Sequence, residues 1–524
     1  MDTQRVRQKI LDLAIRGKLV EQDPADEPAS ELLARVCAEK LAMVERGELK
    51  PKDVKGDSVI FLGDDNRHYE KVGDKEPVDI EDELPFELPA GWAWARVGVI
   101  SLIGTGATPL KSRLDYYENG TVPWITSSSA CKGVICEPDG YITETALAET
   151  NCTVYNPGAL VVAMYGEGKT RGSVSILGIQ AATNQACAVV QVIQCAPKYV
   201  KACYEQSYDS LRRRSKGGLQ PNLNMGIIKA FLIPVPPLAE QHRIVAALDE
   251  YLGLVDSVEA DEAALEELAA KARARVLDLA IRGKLVEQDP ADEPASELLA
   301  RVHAEKLAMV ERGELKPKDV AGDSVIWRGE DNSYYEHPFG DKSPQKLDGV
   351  PFDLPKQWQW SRLGFVSNYG ESPTATAGNI PDDAWVLDLE DIEKGTGEII
   401  FRSTKQDRPF TSSKRSFRRG QLLYSKLRPY LNKVLVAPEN GYCTSEILPV
   451  NLYGGISPYF IRAFLMSEKF LSYANQCSYG VKMPRLGTND GRRALVPIPP
   501  LKEQDRIAGA IDLLVTAFDS LTRL

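Results

Sequence analysis

LDLAIRGKLVEQDPADEPASELLARV occupies Leu11–Val36 and recurs, letter for letter, at Leu277–Val302. The identity runs further: 48 of 50 positions agree between Leu11–Ile60 and Leu277–Ile326, and only Cys37/His303 and Lys55/Ala321 differ. A second echo sets LPFELPAGWAWARVG (Leu84–Gly98) against VPFDLPKQWQWSRLG (Val350–Gly364), and a third sets PVPPLAEQHRI (Pro234–Ile244) against PIPPLKEQDRI (Pro497–Ile507). Between these frames, residues 99–233 and 365–496 share no visible likeness. Constant frames thus enclose two divergent inserts, and two copies are too few for a solenoid.

The third echo opens a helix. From Ile244 the apolar positions step by four and three through Leu248, Tyr251, Val255, Val258, Leu265, Ala269, Ala272, Val276 and Leu279, broken only at Glu262. That heptad spacing predicts one long coiled-coil helix over Ala239–Ile281, ~65 Å at ~1.5 Å per residue. The C-terminus repeats the first half of the seam with Ile507, Ile511, Leu514, Phe518 and Leu521. The N-terminus supplies the second half with Val6, Ile10 and Leu13, stopped at Gly17. A narrow apolar seam needs a partner, and this split copy is the obvious one. The expected architecture is α+β: two mixed β/α domains separated by an antiparallel pair of long helices, pseudo-two-fold with permuted ends.

The expected boundaries are 1–83 (helical arm and connection), 84–236 (first variable domain), 237–349 (central helical region and connection), 350–498 (second variable domain) and 499–524 (terminal helix). Runs such as ALVVAMYG, GSVSILGI, ACAVVQVI, QLLYSKL and KVLVAPENG predict strands in the inserts. Helices are expected near Tyr199–Arg214 and Pro458–Asn475. Pro51–Glu83 and Pro317–Gly349, rich in Asp, Lys, Gly and Pro, read as irregular connections.

No run approaches the ~18 apolar residues of a membrane helix, and MDTQRVRQKI is not a signal peptide, so a cytoplasmic location is expected. Nine cysteines without CxxC spacing and four histidines predict reduced thiols and no metal site. The net charge of −11 is unevenly spread. Phe401–Lys433 carries ten Lys/Arg against one Asp, and Lys198–Lys229 seven basic residues against two acidic. Ile244–Leu268 holds eight acidic residues and no basic one. Two basic regions beside an acidic helix keep DNA open as a partner.

Catalytic equipment is missing. AMYGEGKT (Ala163–Thr170) satisfies a relaxed nucleotide-loop pattern, but a phosphate loop must open a helix, and the β-like RGSVSILGI follows it. No Gly-x-Ser-x-Gly elbow or His-Glu-x-x-His helix occurs. Asp388, Glu390 and Asp391 have no obvious basic partner and read as a solvated face.

What remains is binding. SSKRSFRRGQLLYSKLRPYLNK interleaves cations with aromatics, as phosphate clamps with base or sugar contacts would. The DNA-binding candidates in the second insert are Arg415, Arg418, Ser425, Lys426, Arg428, Tyr430, Lys433, Lys482 and Arg485. In the first they are Lys111, Arg113, Tyr116, Lys169, Thr170, Arg171, Asn184, Gln185, Gln220 and Asn222. Two other readings stay open: a two-lobed protein-binding scaffold without DNA specificity, and an ATPase using Ala163–Thr170.

Two variable domains alternating with near-identical helical regions resemble the specificity subunit of type I restriction–modification enzymes. The likeness rests on PVPPLAEQHRI and PIPPLKEQDRI at the helix starts, on GWAWARVG and QWQWSRLG at the domain entrances, and on GLQPNLNMGIIKAFLIPVPP at an exit. TPLKSRLDYYENGTVPWIT and LLYSKLRPYLNKVL are similar to interior segments of target-recognition domains. The resemblance implies that each variable domain recognises one half of a split, asymmetric site on double-stranded DNA, with the paired helices setting the gap. It implies a non-catalytic chain that docks two methyltransferase subunits and, where present, two restriction subunits. Cofactors are then expected only in partners: S-adenosylmethionine in the methyltransferase, ATP and Mg in the motor-nuclease. The GLQPNLN exit is answered by GVKMPRLGTNDG, so the two domains need not grip DNA alike.

Overall fold

The computed structural model describes residues 1–166, 170–214, 222–339, 343–480 and 482–522. The chain divides into two compact units, Met1–Asp261 and Glu262–Leu524. Five helices carry the frame: α1 (Thr3–Ile15), α2 (Ala29–Glu45), α3 (Leu238–Ile281), α4 (Ala295–Glu311) and α5 (Leu501–Thr522). The 44-residue α3 contributes its first half to one unit and its second half to the other.

In the first unit α1 runs antiparallel to the start of α3. Leu11 shares a buried core with Ile244 and Leu248, while Arg7, a turn earlier, pairs with Asp256 and with Glu259 at 2.9 Å. In the second unit α5 runs antiparallel to the end of α3: Ile507 and Ile511 share a core with Val276, Ala280 and Ile281, and Arg273 pairs with Asp519. The split copy does meet the central helix. The seam is shorter than the spacing predicts, because Tyr251, Leu265 and Leu521 are exposed. Leu265 lies beyond the reach of α5, whose Asp519 already faces Arg273. On α1 the fully buried positions are Leu11, Ala14 and Ile15, and Val6, Ile10 and Leu13 flank them half-buried.

α1 ends at Gly17 with φ +63, where an added Cβ would stand 2.6 Å from Pro89 Cγ and 3.0 Å from the Trp92 ring; Gly283 repeats this against Pro355 and Trp358. Only glycine combines that backbone with that proximity. The chain then returns as α2 in one unit and α4 in the other. Each buries one lysine. Lys40 Nζ donates to Gly98 O (2.9 Å) and meets Asp57 Oδ2 at 2.7 Å. Lys306 Nζ donates to Asp323 Oδ1 (2.7 Å) and Phe365 O (3.2 Å).

The connections at Pro51–Glu83 and Pro317–Gly349 are not irregular. Each forms a short helix and a three-stranded antiparallel sheet: Ser58–Leu62, His68–Val72 and Val78–Asp79 in one unit, Ser324–Arg328, Tyr334–Pro338 and Gln345–Lys346 in the other. Asn66 and Asn332, both left-handed, turn the first hairpin, a conformation Asn tolerates well.

Each variable domain is closed by its own ends. Ala93–Arg96 pairs antiparallel with Leu232–Val235, and Gln359–Arg362 with Leu495–Ile498, so entrance and exit motifs form one ribbon. Above it the first domain has a five-stranded sheet in the order Ser101–Thr105, Cys187–Val192, Leu160–Ala163, Val174–Leu177, Val134–Ile135, and a four-stranded sheet built on Val122–Ile125. The second domain has a five-stranded sheet containing Lys414–Phe417 and a three-stranded sheet centred on Leu422–Ser425. The helices expected in the inserts are broken pairs, Pro197–Gln206 with Tyr208–Arg214, and Pro458–Met466 with Glu468–Gln476. Mixed helix and strand make the class α+β.

Burial pushes the Asp323 carboxyl up to about 6 from 3.8 and lowers the Lys306 ammonium. A carboxyl raised in the native state binds more protons there than in the unfolded chain. Its contribution is therefore present below about pH 4 and is lost as pH rises toward 6. Asp323→Asn should flatten that part of the stability–pH curve, read by urea denaturation at stepped pH. Lys306→Ala, which leaves a buried carboxylate uncompensated, should cost about 3–5 kcal/mol. Arg7→Ala, at a surface pair, should cost less than about 1 kcal/mol in the same assay.

Candidate nucleic-acid interface

The central strand Leu422–Ser425 of the second domain leads straight into the cation-rich loop. Pro429–Leu431 forms a single 3-10 turn between Arg428 and Asn432, both left-handed at φ 49 and 50. For a non-glycine residue, and more so for one preceding proline, that backbone persists only when its surroundings hold it. They do. Asn432 Nδ2 donates to Met466 O (2.9 Å), Pro429 is buried, and Arg428 N–H donates to Pro484 O (2.7 Å).

Pro484 belongs to the hairpin of Ser478–Tyr479 and Arg485–Leu486, which lies alongside: Leu486 N–H donates to Lys426 O, and Leu427 bridges Arg485. Lys426 N–H in turn donates to Glu446 O. This frame brings together five of the expected residues, with Arg428, Tyr430 and Lys482 exposed and Lys426 and Arg485 half-buried. The Arg485 guanidinium is engaged by the Glu446 carboxylate at 3.2 Å.

The remaining candidates of this domain lie elsewhere. Ser425 is buried in the strand and its Oγ donates to Leu427 O, so it cannot line a groove. Lys433 Nζ donates to Leu389 O at 2.6 Å, and burial lowers its pKa. Arg415 donates to Ser372 Oγ. Arg418 is exposed, but in the turn at the opposite end of the Leu422–Ser425 strand. The acidic group is no solvated face: Asp391 is buried, Arg408 pairs with Asp388 and Asp391, and Lys414 pairs with Asp388 at 2.8 Å.

The first domain repeats the frame with other residues. Leu223 N–H donates to Met164 O, and Met164 N–H to Ala186 O, so Asn222 and the Asn184–Gln185 turn both lie close to Met164, where the strand Leu160–Ala163 ends. Asn222, Gln185 and Tyr165 are exposed, and Thr170 and Arg171 half-buried. Asn184 Oδ1 accepts from Ala186 N–H, which spends it on the turn itself. Gln185 accepts from Thr108 Oγ, which draws the loop bearing Lys111 to this edge. Arg113 pairs with Asp115 and Glu149 and covers the Tyr116 ring at 4.3 Å. Tyr116 is itself buried, donating to Glu149, and is a brace rather than a free contact. Lys169 and Gln220 lie outside the described residues. After Thr170 the chain forms the strand Val174–Leu177, not the helix a phosphate loop requires.

The sequence reading missed Tyr479 and Met483, which stand exposed on the second hairpin, and Glu446, which restrains Arg485. Ser478–Leu486 lacks the charge and aromatic density that marks Phe401–Lys433. Among the described residues no His/Cys/Asp/Glu cluster could hold a metal ion, and no helix is long and apolar enough to cross a membrane.

Residues 89–267 match the family described as type I restriction modification DNA specificity domain. The chain is similar to the EcoEI specificity subunit of Escherichia coli, 28% identical over 73% of this chain and 65% of that one, just under two thirds of its length. It is similar also to the Escherichia coli EcoAI specificity subunit, 25% identical over 99% of this chain and 90% of that one. Among solved structures, the HsdS subunit from Thermoanaerobacter tengcongensis aligns over 84% of this chain and 93% of its own, at 17% identity and a TM-score of 0.42. With its two framed, divergent domains, the chain is similar over most of its length to the specificity subunits of type I restriction–modification enzymes, and residues 89–267 match their DNA specificity domain.

Proposed function

We propose that the chain selects DNA sequence for a multisubunit methyltransferase, each recognition domain reading one half of a bipartite site. The observation that carries this reading is the repeated loop frame. Both domains hang a loop from a central strand by equivalent backbone bonds, Leu486 to Lys426 and Leu223 to Met164, yet fill it with unlike side chains. A fixed backbone with variable side chains is what two different half-sites require of one fold. The near-identical arms, by contrast, offer equivalent surfaces to two copies of one partner, the methyltransferase subunits, with restriction subunits joining where they exist. In this reading the chain performs no catalysis in the cytoplasm where it works. S-adenosylmethionine belongs to the methyltransferase, ATP and Mg to the motor-nuclease.

Selection from a random duplex library, with the chain co-purified with its methyltransferase partner, should recover two short motifs at fixed separation. Unenriched DNA would favour the scaffold reading instead. Binding should weaken with salt by ~0.9 in log affinity per log salt for each phosphate neutralised, and Lys482→Ala should lower that slope by about one. Exchanging residues 99–233 for another insert should change one half of the target and leave assembly intact. Arg428→Gly removes a cation and also a left-handed side chain. It should therefore weaken DNA binding while leaving stability unchanged or raising it by up to ~1 kcal/mol.

A further inference from the structure

The second domain's loop frame carries more apolar surface than phosphate contact needs. Tyr430 is 50% exposed, Tyr479 63% and Met483 44%. Scattered exposed apolar side chains mean little, but these stand on two adjoining segments tied by the Arg428–Pro484 bond and the Leu427–Arg485 bridge, and the same two segments bear Lys426, Arg428 and Lys482. The segment bearing Tyr430 is held stiffly by the buried Pro429 and by the Asn432 bond to Met466. Glu446, engaging Arg485, leaves the apolar tips and the three remaining cations as the surface on offer.

Exposed aromatic and thioether side chains on a stiffly held, cation-bearing surface match those that enter between base pairs and unstack them. We infer that Tyr430 and Met483, flanked by Tyr479, form a wedge that opens one base step in the half-site bound by the second domain. Specificity there then comes partly from how easily a step deforms, which favours pyrimidine–purine steps, and not only from base-edge hydrogen bonds. This inference rests on the DNA-reading function proposed above.

The test uses the full chain with its methyltransferase partner on the duplex recovered by selection, probed by permanganate reactivity of thymines across both half-sites. One step in the second domain's half-site should become at least about threefold more reactive on binding, as unstacking exposes the base. Tyr430→Ala with Met483→Ala should abolish that rise while specific binding persists at higher protein concentration. Tyr430→Phe should keep it, and Lys482→Ala should weaken binding but keep it as well. Specific binding with no reactive step in that half-site overturns the wedge and leaves the proposed function standing. So does a reactive step that survives the double variant, since that distortion would belong to the methyltransferase. Absence of any sequence-selective duplex binding overturns the proposed function and the wedge together.

Discussion

Everything in each unit hangs on a buried carboxylate in the first turn of a long helix. Glu240 Oε2 accepts from the Trp92 indole at 2.9 Å, and Glu503 Oε2 from Trp358 at 3.0 Å. Beside them Gln241 and Gln504 accept from Ala196 and Ser457 N–H and donate to Pro236 and Pro499 O. One Glu-Gln pair thus fastens the domain entrance, the insert's own helix and the exit to a single point. Burial raises both glutamates' pKa, and the indole N–H opposes that rise. The anchor lies in a nearly dry environment, where a hydrogen bond is strong and an unmade one costly.

This anchor explains why the short motifs were so informative. PPLAEQHRI and PPLKEQDRI mark helix starts, and their Glu and Gln are buried because the entrance tryptophans and two backbone amides require partners. The four-three spacing from Ile244 located α3 to within a residue, since a helix of that length leaves a periodic record. The loop at Lys426–Lys433 was legible from cation and aromatic density, although composition alone could not tell Arg428, exposed, from Lys433, bonded to Leu389 O.

Other features left no such record. The three-stranded sheets are short and polar, and their strand character depends on ladders closed by left-handed Asn66 and Asn332. Lys40 and Lys306 sit in AEKLAM, which reads like any solvated helix face. Their burial is imposed by Asp57 and Asp323 and by carbonyls at the domain entrances. Asp388 and Asp391 find Arg408 and Lys414 some twenty residues away across a sheet, a pairing that spacing does not encode. Pattern reveals what is periodic or dense; partners brought together by topology stay hidden until the chain is folded.

The permuted layout also governs how the chain comes into being. α1 leaves the ribosome long before its partner residues, from Ile244 to Glu259, which lie some 240 residues downstream. At ~5–20 residues per second that interval is on the order of tens of seconds. Through it the Leu11, Ala14 and Ile15 face has no α3 to cover it, while the first insert can already form its sheets. Closing so distant a contact is entropically slow. Completion of the first unit is therefore set by translation of its last helix, and the nascent arm is the segment most in need of shelter.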